Sequence, residues 1–367
     1  MVYFNSIKSA TSLLMDDYLP VEQYGEIKNL TSDVNYVAAV FAKEGSFVEE
    51  KTMCFWDLFT GGAPNKKKYM TKFYSGLVMQ NHSDGCFFTD KTLTGSVLGY
   101  INSQTCHTQE IPYTGMPDLS VEKEKGATVG KNGKTCKLLF WDLVTMQDVS
   151  SIRMDFQQRN LCAMVPSESN LAVTLQSGTT FEKPNVISLW DSRIGKKVIK
   201  EKKIHENKDI YSMAVLQTSR GPRIITRSVD SSAIDFRSIF DEAFGEPVEC
   251  FNVPAGSGVY PHSRSDLTFL NSKGSILNTC RNHQAPTSEY SQYGCPTTAK
   301  QVTFRSYDLK NIQEDTLKPE IVIEFPPVDI NEKENPEYSF ACDSEKVVIA
   351  AVSSNTHTKQ IGIFKPK

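Results

Sequence analysis

Neither sign of charge dominates this chain of 367 residues: 40 Lys and Arg stand against 43 Asp and Glu, for a formal net charge of −3. That removes the bulk electrostatic case for a dedicated nucleic-acid binder. No apolar run approaches the ~18 residues that a membrane-spanning helix needs. The run Leu13-Leu14-Met15 near the start falls far short of a signal-peptide core. The nine cysteines are scattered singly and form no CxxC pair. Reduced thiols in the cytoplasm or nucleus are therefore the expectation.

Chemical motifs are equally thin. There is no GxSxG elbow and no HExxH helix. Gly130-Lys131-Asn132-Gly133-Lys134-Thr135 ends like a phosphate-binding loop, but Thr128 stands where the pattern needs glycine, and a strand pattern follows where it needs a helix. A β-turn is expected there. Cys280, His283, His262 and Cys295 are zinc-ligand types at spacings that match no standard site. The adjacent carboxylates Asp16-Asp17 and Glu49-Glu50 would point apart on a strand, and solvated loops are expected for both. No catalytic, cofactor-binding or metal-ligating residue is nominated, no cofactor is expected, and the chain is expected not to be an enzyme.

What is abundant is strand and turn chemistry: Ser, Thr, Asn, Phe, Val and Ile, with 21 Gly and 17 Pro. Tryptophan is scarce, three in all, yet each ends a short β-rich run and is followed by Asp: Trp56-Asp57, Trp141-Asp142 and Trp190-Asp191. Completing the series with other aromatics at the ends of alternating runs gives Tyr100, Phe236, Tyr307 and Phe364. The intervals are 44, 41, 49, 46, 71 and 57 residues. Short apolar runs precede most of these marks, as at Tyr36-Val37-Ala38-Ala39-Val40 and Leu171-Ala172-Val173-Thr174-Leu175.

Seven marks, most of them about 45 residues apart, resemble the WD-repeat family of β-propellers. His205, ahead of one innermost strand, and Asp230, in the turn before Phe236, are similar to the His–Asp pair that ties loops together in that family. The other Trp-marked repeats carry Glu50, Thr135 and Pro184 in the place of that Asp. The expected architecture is all-β, one seven-bladed propeller over residues 1–367. Residues 1–8, with Val2-Tyr3-Phe4-Asn5-Ser6-Ile7, are expected to supply the strand that closes the last blade. The long interval after Phe236 places a loop insertion within 253–300. Smaller insertions are expected at Pro112 to Lys125 and at Asn331 to Pro336.

A narrower resemblance lies in Phe140-Trp141-Asp142-Leu143-Val144-Thr145-Met146-Gln147-Asp148-Val149-Ser150-Ser151 and in Ile187-Ser188-Leu189-Trp190-Asp191-Ser192-Arg193. With Cys54-Phe55-Trp56-Asp57-Leu58-Phe59, these look like the WD-repeat subunits of the methylosome, including their divergent insect branch. That resemblance implies a non-catalytic partner of a protein arginine methyltransferase that helps present substrates. It also implies that an aromatic on the loop from Lys43 to Lys51 docks on the enzyme, and Phe47 is the aromatic there, displaced from the family's position. The alternatives are a substrate receptor or assembly platform in a ubiquitin ligase or RNA-processing complex, and an RNA-binding propeller. For the last, the basic run Lys196, Lys197, Lys202 and Lys203 is the candidate patch, with Lys66-Lys67-Lys68 a second cluster.

Overall fold

The computed structural model describes residues 8–9, 13–19, 26–42, 49–59, 64–71, 78–82, 85–91, 96–105, 108–113, 119–132, 135–154, 159–177, 185–194, 198–204, 210–228, 233–239, 249–252, 268–273, 275–290, 296–310, 320–324, 328–329, 337–343, 345–354 and 357–366. Among them there is no helix. The strands run in chain order from β1 (Lys8–Ser9) and β2 (Leu13–Leu19). Five four-stranded meanders follow. They are β3 (Glu26–Ser32), β4 (Tyr36–Ala42), β5 (Glu49–Asp57) and β6 (Asn65–Thr71); β7 (Val78–His82), β8 (Gly85–Lys91), β9 (Ser96–Asn102) and β10 (Thr108–Tyr113); β11 (Ser120–Glu122), β12 (Lys125–Asn132), β13 (Thr135–Asp142) and β14 (Gln147–Met154); β15 (Arg159–Val165), β16 (Glu168–Ser177), β17 (Asn185–Asp191) and β18 (Val198–Ile204); β19 (Ile210–Thr218), β20 (Gly221–Ser228), β21 (Ala233–Ser238) and β22 (Glu249–Asn252). A sixth sheet joins β1 to β23 (Thr268–Lys273), β24 (Ile276–Tyr290), β25 (Pro296–Asp308), β26 (Ile321–Glu324) and β27 (Val328–Asp329). A seventh joins β2 to β28 (Glu337–Cys342), β29 (Val348–Ser354) and β30 (His357–Pro366).

The chain divides into two compact units. One comprises Met1–Ser46, Glu50–Lys68 and Asn252–Lys367, and the other Phe47–Glu49 and Tyr69–Phe251. In the second unit, sheets stack through apolar faces. Phe87 and Leu98 of the second sheet meet Trp141 and Leu143 of the third. Leu138 and Phe140, on the third sheet's other face, meet Trp190 of the fourth. Ile187 and Leu189 of the fourth meet Ile224 and Ile239 of the fifth. In the first unit, Ile361 and Ile363 of the seventh sheet pack on Val37, Ala39 and Trp56 of the first. Phe340 of the seventh stacks on Phe304 of the sixth at 4.9 Å between ring centres. Strands apolar on both faces are what such stacking demands, which is why Tyr36–Ala42 reads as an unbroken apolar run. Cys54, Cys86, Cys136, Cys162 and Cys342 are buried within these sheets and form no disulfide with one another.

A recurring bond fixes which residues are equivalent. Just past the third strand of a sheet, a backbone N–H donates to a carbonyl at or just before the start of the second: Leu58 to Asn35, Leu143 to Glu124, Ser192 to Asn170, Ile239 to Pro222 and Leu309 to Ser275. Two residues before each donor stand Trp56, Trp141, Trp190, Arg237 and Tyr307. In the second sheet Asn102 Oδ1 accepts from the N–H of Gln104 and Thr105, as Asp142 Oδ1 does from Val144 and Thr145. That places Ile101 in the Trp position. Two of the seven marks therefore move by one residue, from Tyr100 to Ile101 and from Phe236 to Arg237. Tyr100 occupies the place of Phe140, on the opposite face, where it packs beside Phe87 at 4.9 Å.

Two other expectations change, for the strand beside β30 and for Asp16-Asp17. The strand that pairs with β30 is Leu13–Leu19, with Leu19 opposite Ile361 and Leu13 opposite Pro366, and residues 1–7 lie outside the described residues. Asp16-Asp17 therefore sit within a strand, and a register shift between Met15 and Asp17 absorbs Asp16. Within 253–300 the described residues are the strand residues 268–273, 276–290 and 296–300 with Ser275, and residues 253–267 and 291–295 lie outside the described residues. β24 and β25 form one long hairpin from Ile276 opposite Asp308 out to Tyr290 opposite Pro296, with the irregularity falling just after Pro286, which has no N–H to give to a ladder. Pro112 to Lys125 likewise holds the end of β10 and all of β11. Residues 331–336 lie outside the described residues.

Candidate interaction surface

In a four-stranded meander the turns between first and second strands and between third and fourth strands lie at one edge. At that edge the third strands of the first, second, third, fourth and sixth sheets end in an Asx turn. Asp57, Asp191 and Asp308 each accept the N–H two residues on, from Phe59, Arg193 and Lys310, at 2.8 to 2.9 Å. Carboxylates and amides do this in turns because their short side chains reach the backbone just ahead.

The same turns expose apolar side chains. Val144 in the third sheet is 65% exposed and Ile194 in the fourth 58%. Phe59, in the first sheet and the other unit, is 77% exposed. Next to the turns of the third and fourth sheets the outer strand bulges at the same place. Phe140 pairs with Ser150 and Trp141 with Asp148, so Val149 is the extra residue. Leu189 pairs with Lys200 and Trp190 with Val198, so Ile199 is the extra residue. Both bulged side chains face solvent, Val149 at 56% and Ile199 at 42%. A bulge re-aims a side chain and interrupts edge pairing. The two sheets meet along this edge, where Ser167 N–H donates to Glu122 Oε1 at 3.0 Å and Met164 N–H to Ser120 Oγ at 2.9 Å.

Charge at this edge is organised in pairs. Lys125 Nζ lies 2.8 Å from Asp142 Oδ2, and Arg193 Nη2 lies 2.6 Å from Asp191 Oδ2. The bond from Lys125, helped by the N–H of Thr145, holds the Asp142 carboxyl down to about 2. The Arg193 guanidinium holds Asp191 below its ordinary value, although burial opposes it. A carboxyl depressed in the folded state stabilises it fully above 3.8 and loses that effect as pH falls toward 2. In Lys125→Met, the Asp142 titration followed by NMR should move up toward 3.8. A carboxyl still titrating near 2 would assign the depression to the turn N–H groups alone.

Behind the edge, two tryptophans are held by the same bond. Trp141 Nε1–H donates to Thr128 Oγ1 and Trp190 Nε1–H to Thr174 Oγ1, each at 2.8 Å. Ala39 takes the threonine's place beside Trp56, and Thr226 takes it beside Arg237. The Thr226 hydroxyl is buried with no hydrogen-bond partner, and so is that of Thr89. Thr128→Val and Thr174→Val should each cost about 1–3 kcal/mol by stranding a buried indole N–H. Thr226→Val and Thr89→Val should be neutral or stabilising, since they remove an unpaired hydroxyl. Four chemical-denaturation curves check this, and equal losses at all four sites would contradict it.

The other nominated residues separate in the structure. Lys202 and Lys203 are neighbours on β18, so they project to opposite faces of the sheet. Lys196, Lys197, His205, Asp230 and Phe47 lie outside the described residues. Lys66 is exposed on β6. The phosphate-loop look-alike falls in a hairpin, with Gly130 opposite Lys137 and Asn132 opposite Thr135. Among the described residues no group of three His, Cys, Asp or Glu side chains is placed to hold a metal ion.

No protein-family model matches this chain, and no curated protein matches it by sequence. Solved structures do match. U3-55K aligns with a TM-score of 0.57 at 11% identity, over 97% of this chain and 99% of that one. The β-propeller domain of Cps50 (Swd1) from Myceliophteria thermophila aligns at 0.54 and 11% identity, over 97% and 100%. The β-propeller domain of the Trilobed protease from Pyrococcus furiosus aligns at 0.51 and 11%, over 93% and 95%. These likenesses make the fold of this chain a β-propeller.

Proposed function

We propose that this chain is a non-catalytic protein-interaction scaffold, built as a single seven-bladed ring of WD-repeat type. Support for the ring comes from the seven sheets found among the described residues and from the pairing of β2, near the amino end, with β30 at the carboxyl end. That arrangement removes an exposed sheet edge. The observation that carries the scaffold reading is the repeated exposure of Val144, Val149, Ile194 and Ile199 on turns and bulges of neighbouring sheets. Apolar groups repeated at one edge mark a surface made for a partner. A propeller also occurs in the Trilobed protease, so the fold alone decides nothing about catalysis.

The narrower form of this proposal is a partner subunit of a protein arginine methyltransferase, acting in the cytoplasm or nucleus. It rests on the resemblance carried by residues 140–151 and 187–193. Affinity purification of the full chain from its own cells should recover a stoichiometric protein partner, and a methyltransferase among the partners supports the narrower form. Phe47→Ala should then weaken that association. Partners without a methyltransferase overturn the narrower form and leave the scaffold standing. Recovery of the chain alone overturns both.

A further inference from the structure

The amino end of the chain takes part in two sheets. β1 pairs antiparallel with β26, Lys8 opposite Glu324 and Ser9 opposite Ile323, and so adds a strand beyond the fourth strand of the sixth sheet. Among the described residues no other sheet has a strand beyond its fourth. Three residues further on, the chain becomes β2 and supplies the fourth strand of the seventh sheet. The two attachments are unequal. β2 runs beside β30 from Leu13 to Leu19, and Leu19 is buried in one cluster with Ile27 and Ile361. β1 holds β26 over two residues. In a strand pair that short, the net gain from each backbone bond is no larger than the conformational entropy lost by each residue fixed. β1 is therefore readily released, while β2 keeps its place on the seventh sheet.

We propose that the outer edge of β26 is a strand-accepting site, at which β1 is exchanged for an extended segment of a partner protein. The proposal deepens the scaffold reading and rests on it. When β1 leaves, the backbone groups it paired at Ile323 and Glu324 form an open edge, and another extended backbone completes an edge of that kind. β26 itself stays in place. Ile321 and Ile323 are buried, and its other edge pairs with β25 from Thr303 to Ser306. Recognition is through the main chain, so the partner segment is extended and free of proline where it pairs. β1 acts as a built-in competitor. Held close by β2, it returns at high effective concentration. Only molecules with β1 released are competent, and the partner's apparent affinity falls by that fraction. A nucleic-acid strand is no substitute, because it lacks the peptide N–H and C=O groups that continue a ladder.

The test compares three full chains: wild type, a released form with Lys8→Pro and Ser9→Pro, and a locked form with Lys8→Cys and Glu324→Cys joined by a disulfide that peptide mapping confirms. Prolines at both positions leave β1 no N–H to give to β26. β2 is untouched, so the released form should keep wild-type circular dichroism and slow amide exchange at Ile361 and Ile363. The probe is a labelled synthetic peptide with the sequence of residues 2–12, and its control carries proline at the positions of Lys8 and Ser9. The released form should bind the probe about tenfold or more tightly than wild type, because the tethered competitor is gone. The amide NMR signals of Ile323 and Glu324 should move on binding. The locked form should not bind until its disulfide is reduced. No binding by the released form, equal binding by the locked form, or equal binding of the proline control overturns the proposal. So does a wild-type dimer in sedimentation that the locked form loses, which would give the edge to a second copy of this chain. Affinity purification with all three chains separates the two readings. Stoichiometric partners recovered equally by the locked and released forms sink this edge and leave the scaffold, whereas no partner with any of the three sinks both.

Discussion

Trp141→Ala is expected to lower unfolding stability by about 3–5 kcal/mol, the range for truncating a buried tryptophan. The indole is 5% exposed and sits between the second and third sheets among Phe87, Leu98, Leu119, Leu143 and Met146. Its removal opens a cavity lined from both sides, and stacked sheets have little freedom to collapse into it. It also strands the Thr128 hydroxyl, which now accepts the indole N–H at 2.8 Å. Trp141→Phe should keep most of the packing and lose that bond, for a smaller cost of about 1–3 kcal/mol. Urea unfolding of both variants gives the comparison. A loss below about 1 kcal/mol for the alanine variant would contradict the stacking of these two sheets through Trp141.

The second large effect is expected at Gly99. This glycine lies mid-strand in β9, directly opposite Phe88 of β8. A Cβ added there would fall onto the Phe88 ring. Phe88 is 3% exposed, so the ring has no room to swing clear. Gly99→Ala should therefore destabilise by about 1–3 kcal/mol or more, the usual cost of overpacking. Ordinarily alanine is the better strand residue, so the sign itself is informative. Phe88→Leu in the same chain should return part of the loss, giving a coupling of about 0.5–3 kcal/mol in a double-mutant cycle. Strict additivity would mean that the ring does not lie over Gly99.

How much of this was legible beforehand depended on which residues carried two constraints at once. Trp56, Trp141 and Trp190 stood out because each fills a gap between sheets and is followed by an Asp that closes a turn, and type and spacing agree at such positions. Ile101 and Arg237 were missed because they keep the position and lose the aromatic. The nearest aromatics, Tyr100 and Phe236, lie one residue earlier, and a shift of one reverses the face on a strand. A signal for the correct register was present in Asn102, whose amide makes the same turn as Asp142.

The strand that pairs with β30 was misplaced for a related reason. Val2-Tyr3-Phe4 has the more apolar pattern, whereas Leu13–Leu19 contains two adjacent carboxylates that argue against a strand until a bulge is allowed at Asp16. The hairpin of β24 and β25 was hidden by its Pro, Ser and Asn content. The candidate surface could not be read at all without register. Adjacent apolar residues such as Val198-Ile199 do break strand alternation, but which of the two faces solvent depends on where the bulge falls.

The most direct test of a protein-interaction propeller is the mass of the native particle. Native mass spectrometry of the tagged chain, purified gently from its own cells, should show a discrete complex heavier than the 41.1 kDa of one chain, by the mass of one or more partner proteins. A single species at 41.1 kDa, with no bound protein, would contradict the scaffold reading.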